Sequence, residues 1–383
     1  MKLFKDKNLQ AMFGVTLMGV LGVASITPAF PRIIHDLGIE PGQVGLLITV
    51  FTLPGIFLSP FLGVLADRWG RKRILVPSLV LFAVAGSACG FVRDFQMLLI
   101  FRFLQGTGGA ALASLSGTVI GDLYSGKQRS EAMGYNASIL SVGTASYPAI
   151  GGALAMFGWH YPFFLPLLAL PVAYLVMFVL HNPEPQSHGD LAHYLKGAWG
   201  IIRNRTVLGL FMVSIATFVI LYGSLLTFFP ILLSSRFGAS TLQIGLIMSA
   251  MSVTTGLTST QTGKLAARYS EKNLVKAAFL LYGAALAIVP VVPELGLFLV
   301  PIIIYGMGQG LNIPSLMSLM AGCAPTEHRG ILMAVNGTVL RFGQTLGPLV
   351  MGVSFAVWGI NGPFYTGVAM ALIVFVVGVI AVR

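Results

Sequence analysis

Apolar runs of about 18 residues or more alternate with short polar breaks along the whole chain. Each run is long enough to cross a bilayer as a helix, since a span needs about 20 mostly apolar residues. The pattern predicts twelve spans, over residues 10–33, 42–65, 74–91, 96–121, 131–156, 162–180, 206–232, 241–266, 275–292, 296–321, 330–355 and 362–382. Most breaks are short, so neighbouring helices run antiparallel. The exception runs from His181 to Arg205, is polar and has two prolines near its start. It predicts a linker, 181–205, between two six-helix bundles at 1–180 and 206–383. The expected fold is therefore an all-α integral membrane protein.

A 200-residue shift supports duplication. It places Gln43 and Gly45 on Gln243 and Gly245, and Gly106 and Gly108 on Gly306 and Gly308. It also places Asn136, Gly143, Pro148 and Gly152 on Asn336, Gly343, Pro348 and Gly352. Six spans per copy give both copies the same orientation, related by an axis along the membrane normal. Transporters that rock around a midplane site have this layout.

Composition sharpens the class. Hydrophobic residues make up 56% and charged ones 9% of the 383 residues, against a soluble norm of roughly 25% charged. The +11 net charge reflects basic cytoplasmic loops and does not call for a nucleic acid. With both termini inside, eighteen lysines and arginines fall on the cytoplasmic side and three, Arg32, Arg93 and Arg236, on the other. The basic start MKLFKDK precedes a run too long for a signal peptide and reads as an uncleaved first helix. Cys89 and Cys323 offer neither a disulfide framework nor metal-ligand spacing. His188 and His193, five apart, do not share a helix face. No G-x-x-x-x-G-K-[ST], H-E-x-x-H or G-x-S-x-G occurs, so ATP use and enzymatic activity are not expected and no cofactor or metal is called for.

The stretch GVLADRWGRKRIL, from Gly63 to Leu75, sets five charges between spans 2 and 3. Gly63 would let helix 2 approach a neighbour, and Gly70 permits a tight turn. Asp67 and Arg71 are four apart and placed to pair. Asp122 closes helix 4 at the same level.

This stretch resembles the loop 2–3 signature of the major facilitator superfamily. The twelve spans, the long central loop and the degenerate second copy GKLAARYSEKNL extend the resemblance over essentially the whole chain. Within that superfamily the chain resembles the twelve-span drug/proton antiporter group. The resemblance implies that Asp67, Arg71 and Asp122 form a charge cluster that latches the outward-facing state and breaks when the cytoplasmic side opens. Ala267 stands for the acid in the second copy, so the latch is expected to be asymmetric.

LLIFRFLQGTGGAA resembles the family's helix 4 signature and assigns Arg102 to proton coupling; a structural arginine satisfied by carbonyls is the alternative. SVGTASYPAIGG resembles the helix 5 antiporter signature through Gly143, Pro148, Gly151 and Gly152, with Tyr147 where that pattern has glycine. The resemblance marks exporters, whereas the residues alone also fit a kinked packing helix.

By the same resemblance, helices 1, 4, 7 and 10 line a cavity. The apolar middles of the spans hold no acid, and their charges are Arg102 and Arg341. Arg341 lies some eleven residues into helix 11, roughly 16 Å deep at 1.5 Å per residue. Two arginines without acids favour neutral, zwitterionic or anionic amphiphiles. Possible substrate-lining residues in the first half are Gln105 and Asn136. In the second half they are Tyr222, Tyr305, Gln309, Asn312, Asn336 and Gln344, and each equally suits bridging between helices.

The expected function is proton-coupled export of small amphipathic compounds by alternating access from the cell membrane. Expected partners are a small-molecule substrate, protons or sodium, and membrane lipids, with no nucleic acid and a monomeric chain. The alternatives are export of an anionic or zwitterionic metabolite or lipid-like substrate, an uptake symporter, and a non-transporting scaffold.

Overall fold

In the computed structural model the described residues are 3–181, 204–323 and 329–381. Most of the expected 181–205 linker, with His188 and His193, lies outside them.

The described residues are helical throughout. Helix α1 runs over Lys7–Leu37, broken at a 3-10 turn, Thr27–Ala29. It is followed by α2 (Leu46–Trp69), α3 (Arg71–Ala88), α4 (Phe95–Leu123), α5 (Gly126–Ala155) and α6 (Tyr161–Phe178). From residue 205 on come α7 (Arg205–Phe237), α8 (Thr241–Tyr269), α9 (Glu271–Ile288), α10 (Leu299–Gly322), α11 (Arg329–Trp358) and α12 (Gly362–Ala381). Several helices outrun the apolar windows, as α3 does through Arg71, Lys72 and Arg73. Backbone hydrogen bonding continues past the bilayer edge whatever the side chains.

Among the described residues, eight stretches are long and apolar enough to cross a membrane, one of them, Leu332–Val376, covering parts of both α11 and α12. Helices α3, α5 and α8 fall outside this set. The last two are rich in Gly, Ser and Thr, which lowers their hydropathy and lets backbones approach closely.

The sequence repeat is written into local geometry. Gln43 and Gln243 return their side chains to the backbone N–H of Glu40 (3.1 Å) and Ser240 (2.9 Å), building a capping box ahead of α2 and one at the start of α8. Gly106 of α4 lies against the Phe51 carbonyl of α2, and Gly108 against Ser78 and Phe82 of α3. Gly306 and Gly308 of α10 meet Met251 of α8 and Ala278 of α9 in the same way. A proline in α10, Pro314, cannot donate to the Gly310 carbonyl. Thr262 and Ser259 of α8 donate to that carbonyl instead, at 2.8 and 3.4 Å.

Helices α1–α6 pack on one another, as do α7–α12, and two seams join the groups, α2 on α11 and α5 on α8. Both seams are tight at the end away from the termini, called distal below. Gly45 packs on Pro348, and its 200-shifted counterpart Gly245 packs on Pro148. Thr241 donates to the Gly152 carbonyl at 2.7 Å. Toward the terminal end contact is lost. At Gly256 the nearest atom an added Cβ would meet is Ser141 Cβ, at 3.9 Å. Further along, Gly63, Gly134 and Gly263 face open space. The close approach expected at Gly63 is absent in this conformation, because the groups have parted there.

Candidate functional site

At the terminal end, Gly70 turns the chain between α2 and α3 with φ 96°. Arg71 then begins α3, where the helix dipole disfavours a cation, and Asp122 ends α4, where it disfavours an anion. The two cancel: Arg71 Nε donates to Asp122 Oδ2 at 3.1 Å, and Arg71 Nη2 lies 2.6 Å from Asp67 Oδ1. Arg71 is only 6% exposed. All three residues belong to the first group of helices. Their cluster is intact in this conformation, with the groups parted at this end. In the second copy Ala267, Glu271 and Gly322 stand at the three positions, so the cluster has no counterpart.

Arg102 is wholly buried in the first group. Its Nε donates to the Leu47 carbonyl at 3.1 Å and its Nη1 to Gln105 Oε1 at 2.7 Å. Its Cζ lies 4.2 Å from the Phe51 ring centroid, a cation–π contact. Nη2 has no partner. In the second group the corresponding interior is neutral. Tyr282 of α9 donates to Gln309. Asn312 Nδ2 donates to Thr217 Oγ1 at 2.8 Å and to Tyr282 Oη at 3.2 Å. Tyr305 stacks on Tyr282 at 4.5 Å.

The parted seams leave a cleft open at the terminal end. Its apex is closed on the α2–α11 side by three threonines. Thr49 donates to the Thr345 carbonyl at 3.1 Å, and the Thr52 and Thr345 hydroxyls lie 2.8 Å apart. One turn before Thr345, on the open side of this seal, stands Arg341, half-buried with its side chain over Gly55. Tyr222 of α7, in the π-helical stretch Ile220–Phe228, is close enough to interact with it, and Phe218, just before that stretch, packs on Gly343 of α11.

The sequence profile of the Major Facilitator Superfamily matches residues 12–242 and 220–383. The chain belongs to the Major Facilitator Superfamily. Multidrug resistance protein 2 of Bacillus subtilis (strain 168) is 26% identical over 358 residues, covering 90% of this chain and 87% of the relative. Quinolone resistance protein NorA of Staphylococcus aureus (strain MRSA252) is 25% identical over 377 residues, covering 96% and 94%. The fold is that of the nucleoside transporter NupG in a point-mutant form, with a TM-score of 0.85 at 14% identity over 98% of this chain and 100% of that one. This facilitator is thus a multi-pass membrane transporter rather than an enzyme.

Within this facilitator the candidate lining residues divide. Gln105, Tyr305, Gln309, Asn312 and Asn336 are buried inside their own groups of helices, not on the cleft. Gln105, Gln309, Asn312 and Asn336 each find a hydrogen bond there, as an amide at membrane depth must, whereas the Tyr305 hydroxyl has no partner. Asn136 accepts from Thr16 at 2.7 Å, and Asn336 accepts from Ser214 at 3.3 Å. The duplicated asparagines thus pin α5 to α1 and α11 to α7. Tyr222 and Gln344 are half-buried. In the antiporter motif, a side chain at Gly151 would collide with the Ser25 carbonyl of α1, and one at Gly152 with Thr241 of α8. Gly143 packs against Leu17 of α1. Sequence reasoning missed the threonine seal and Tyr282. Thr49 and Thr52, three apart on one helix face, were the available signal for the seal.

Proposed function

We propose that this facilitator is a proton-coupled exporter of small amphipathic compounds, working as a monomer by alternating access. All twelve helices cross the membrane, both termini lie in the cytoplasm, and residues 1–180 and 206–383 rock about the segment between them. The observation that carries the reading is that both seams are tight at one end and parted at the other, about a single cleft. By the lysine and arginine count, the open end faces the cytoplasm.

Substrate enters the cleft from that side. Closure then brings Gly63 toward α11 and Gly263 toward Gly134, while the Gly45–Pro348 and Gly245–Pro148 contacts open. The Asp67–Arg71–Asp122 cluster holds α2, α3 and α4 as one rigid corner through the cycle, and Arg102 takes part in proton coupling. Export is favoured by the helix 5 signature, whose Gly151 and Gly152 sit at the distal closure, and by the resistance proteins among the relatives.

The test is flux in proteoliposomes with the protein as sole component. A gradient, acid on the side to which the distal end faces, should drive an amphipathic dye uphill, and collapse of the gradient should stop it. Dye movement at equal rate with and without the gradient would sink proton coupling.

A further inference from the structure

We infer that Arg341 makes the cleft selective for organic monoanions, amphiphiles carrying one carboxylate, sulfonate or phosphodiester on an aromatic or aliphatic body. This rests on the alternating-access reading above and adds the substrate class to it.

The two membrane-depth arginines differ in how their donors are used. Arg102 spends Nε and Nη1 on a carbonyl and an amide, under a ring. Among the described residues, Arg341 makes no side-chain hydrogen bond and no ion pair. Its guanidinium offers five N–H donors in a planar fork that matches an oxyanion bidentately. Its place is also special. The absence of a side chain at Gly55 makes room for it: a Cβ there would come 2.5 Å from Arg341 Cδ and 2.6 Å from Nη1. The Thr49–Thr52–Thr345 seal closes the space just beyond, so an entering ligand meets the charge at the dead end of the cleft.

No described carboxylate can serve as its counter-ion. Asp6, Asp67, Asp122, Glu131 and Glu271 lie at the terminal end, and Asp36, Glu40, Asp94 and Glu294 at the distal end, all at helix ends or in connections. A cation in a low-dielectric cleft without a counter-ion attracts anions and repels cations. The half-buried Tyr222, near Arg341, and the Phe218 ring, 6.0 Å from the Tyr222 ring, supply flat apolar surface for the ligand's body. A cationic amphiphile would face the same charge with no acid to receive it.

The test uses one fluorophore at three charges: dansylglycine (anionic), dansylamide (neutral) and dansylcadaverine (cationic). Binding is read by fluorescence on the full chain in phosphatidylcholine nanodiscs. Dansylglycine should bind at least about tenfold more tightly than dansylamide, and dansylcadaverine more weakly than either. Arg341→Gln should erase the order with an unchanged melting temperature, and Arg341→Lys, which keeps the charge, should retain it in part. Equal affinities, absence of binding, or an order that survives Arg341→Gln would overturn the inference. The transport reading is judged separately. Gradient-driven flux of the neutral or cationic probe alone would keep export and discard anion selectivity, whereas no gradient-driven flux of any probe would discard both.

Discussion

The two halves descend from one pattern yet solve the same interior problem differently. The first keeps charges: Arg71 between two carboxylates at its terminal end, and Arg102 in its core. The second has no cation at the corner, where Ala267, Glu271 and Gly322 stand, and a neutral phenol–amide network around Tyr282 in the core. Its membrane-depth charge, Arg341, has moved out to the cleft. Backbone geometry is held in common, while electrostatics is divided. Packing glycines and caps are needed by any six-helix unit, whereas a buried charge costs energy and persists only where it has a task.

The largest expected effect separates the two arginines. Arg102→Gln should lower gradient-driven flux more than about tenfold while leaving gradient-free substrate exchange, as expected for an intramembrane charge with a coupling role. Equal loss in both assays would make Arg102 structural and erase its contrast with the second half. Next comes the corner. Asp67→Asn should cost about 1–2 kcal/mol of stability, because Arg71 keeps only Asp122 and both acids are part-exposed. Ala267→Asp should gain nothing, since Glu271 stands where Arg71 would be needed. Thermal unfolding in detergent reads both, and stabilisation by Ala267→Asp would break the asymmetry. In the neutral core, Tyr282→Phe should cost about 1 kcal/mol by removing the hydroxyl shared by Gln309 and Asn312.

The smallest effect concerns the turn that both halves share. Gly70 has φ 96° and ψ 141°; Ser270, at the matching place, has φ 65° and ψ 150°, a region that suits glycine. Its hydroxyl accepts a capping bond from Asn273 N–H at 3.4 Å. Ser270→Gly should raise stability by up to about 1 kcal/mol and Gly70→Ser should lower it similarly. An unchanged melting temperature in both would remove the turn from the comparison.

Much of this was legible in the chain. Apolar run length located the helices, because a bilayer leaves an isolated segment few other ways to satisfy its backbone. The 200-residue shift anticipated the paired glycines, prolines and asparagines, whose contacts recur at Gly45–Pro348 and Gly245–Pro148. The four-residue spacing of Asp67 and Arg71 foretold their pairing. Cleft lining was not legible. Gln309 and Gln344 are equally polar in sequence, yet one is locked to Tyr282 and the other stands half-open. Hydropathy reports that a polar group is in a span, not which side of the helix has a partner.

By itself the sequence determined an all-helical membrane protein with a duplicated plan, since run length, repeat offset and charge sidedness are properties of the chain taken in order. Only the tertiary structure decided which end of the seams is closed and which arginine meets the cleft. Those depend on contacts between residues some 300 positions apart, Thr49 with Thr345 and Gly55 with Arg341, and no local pattern carries that information.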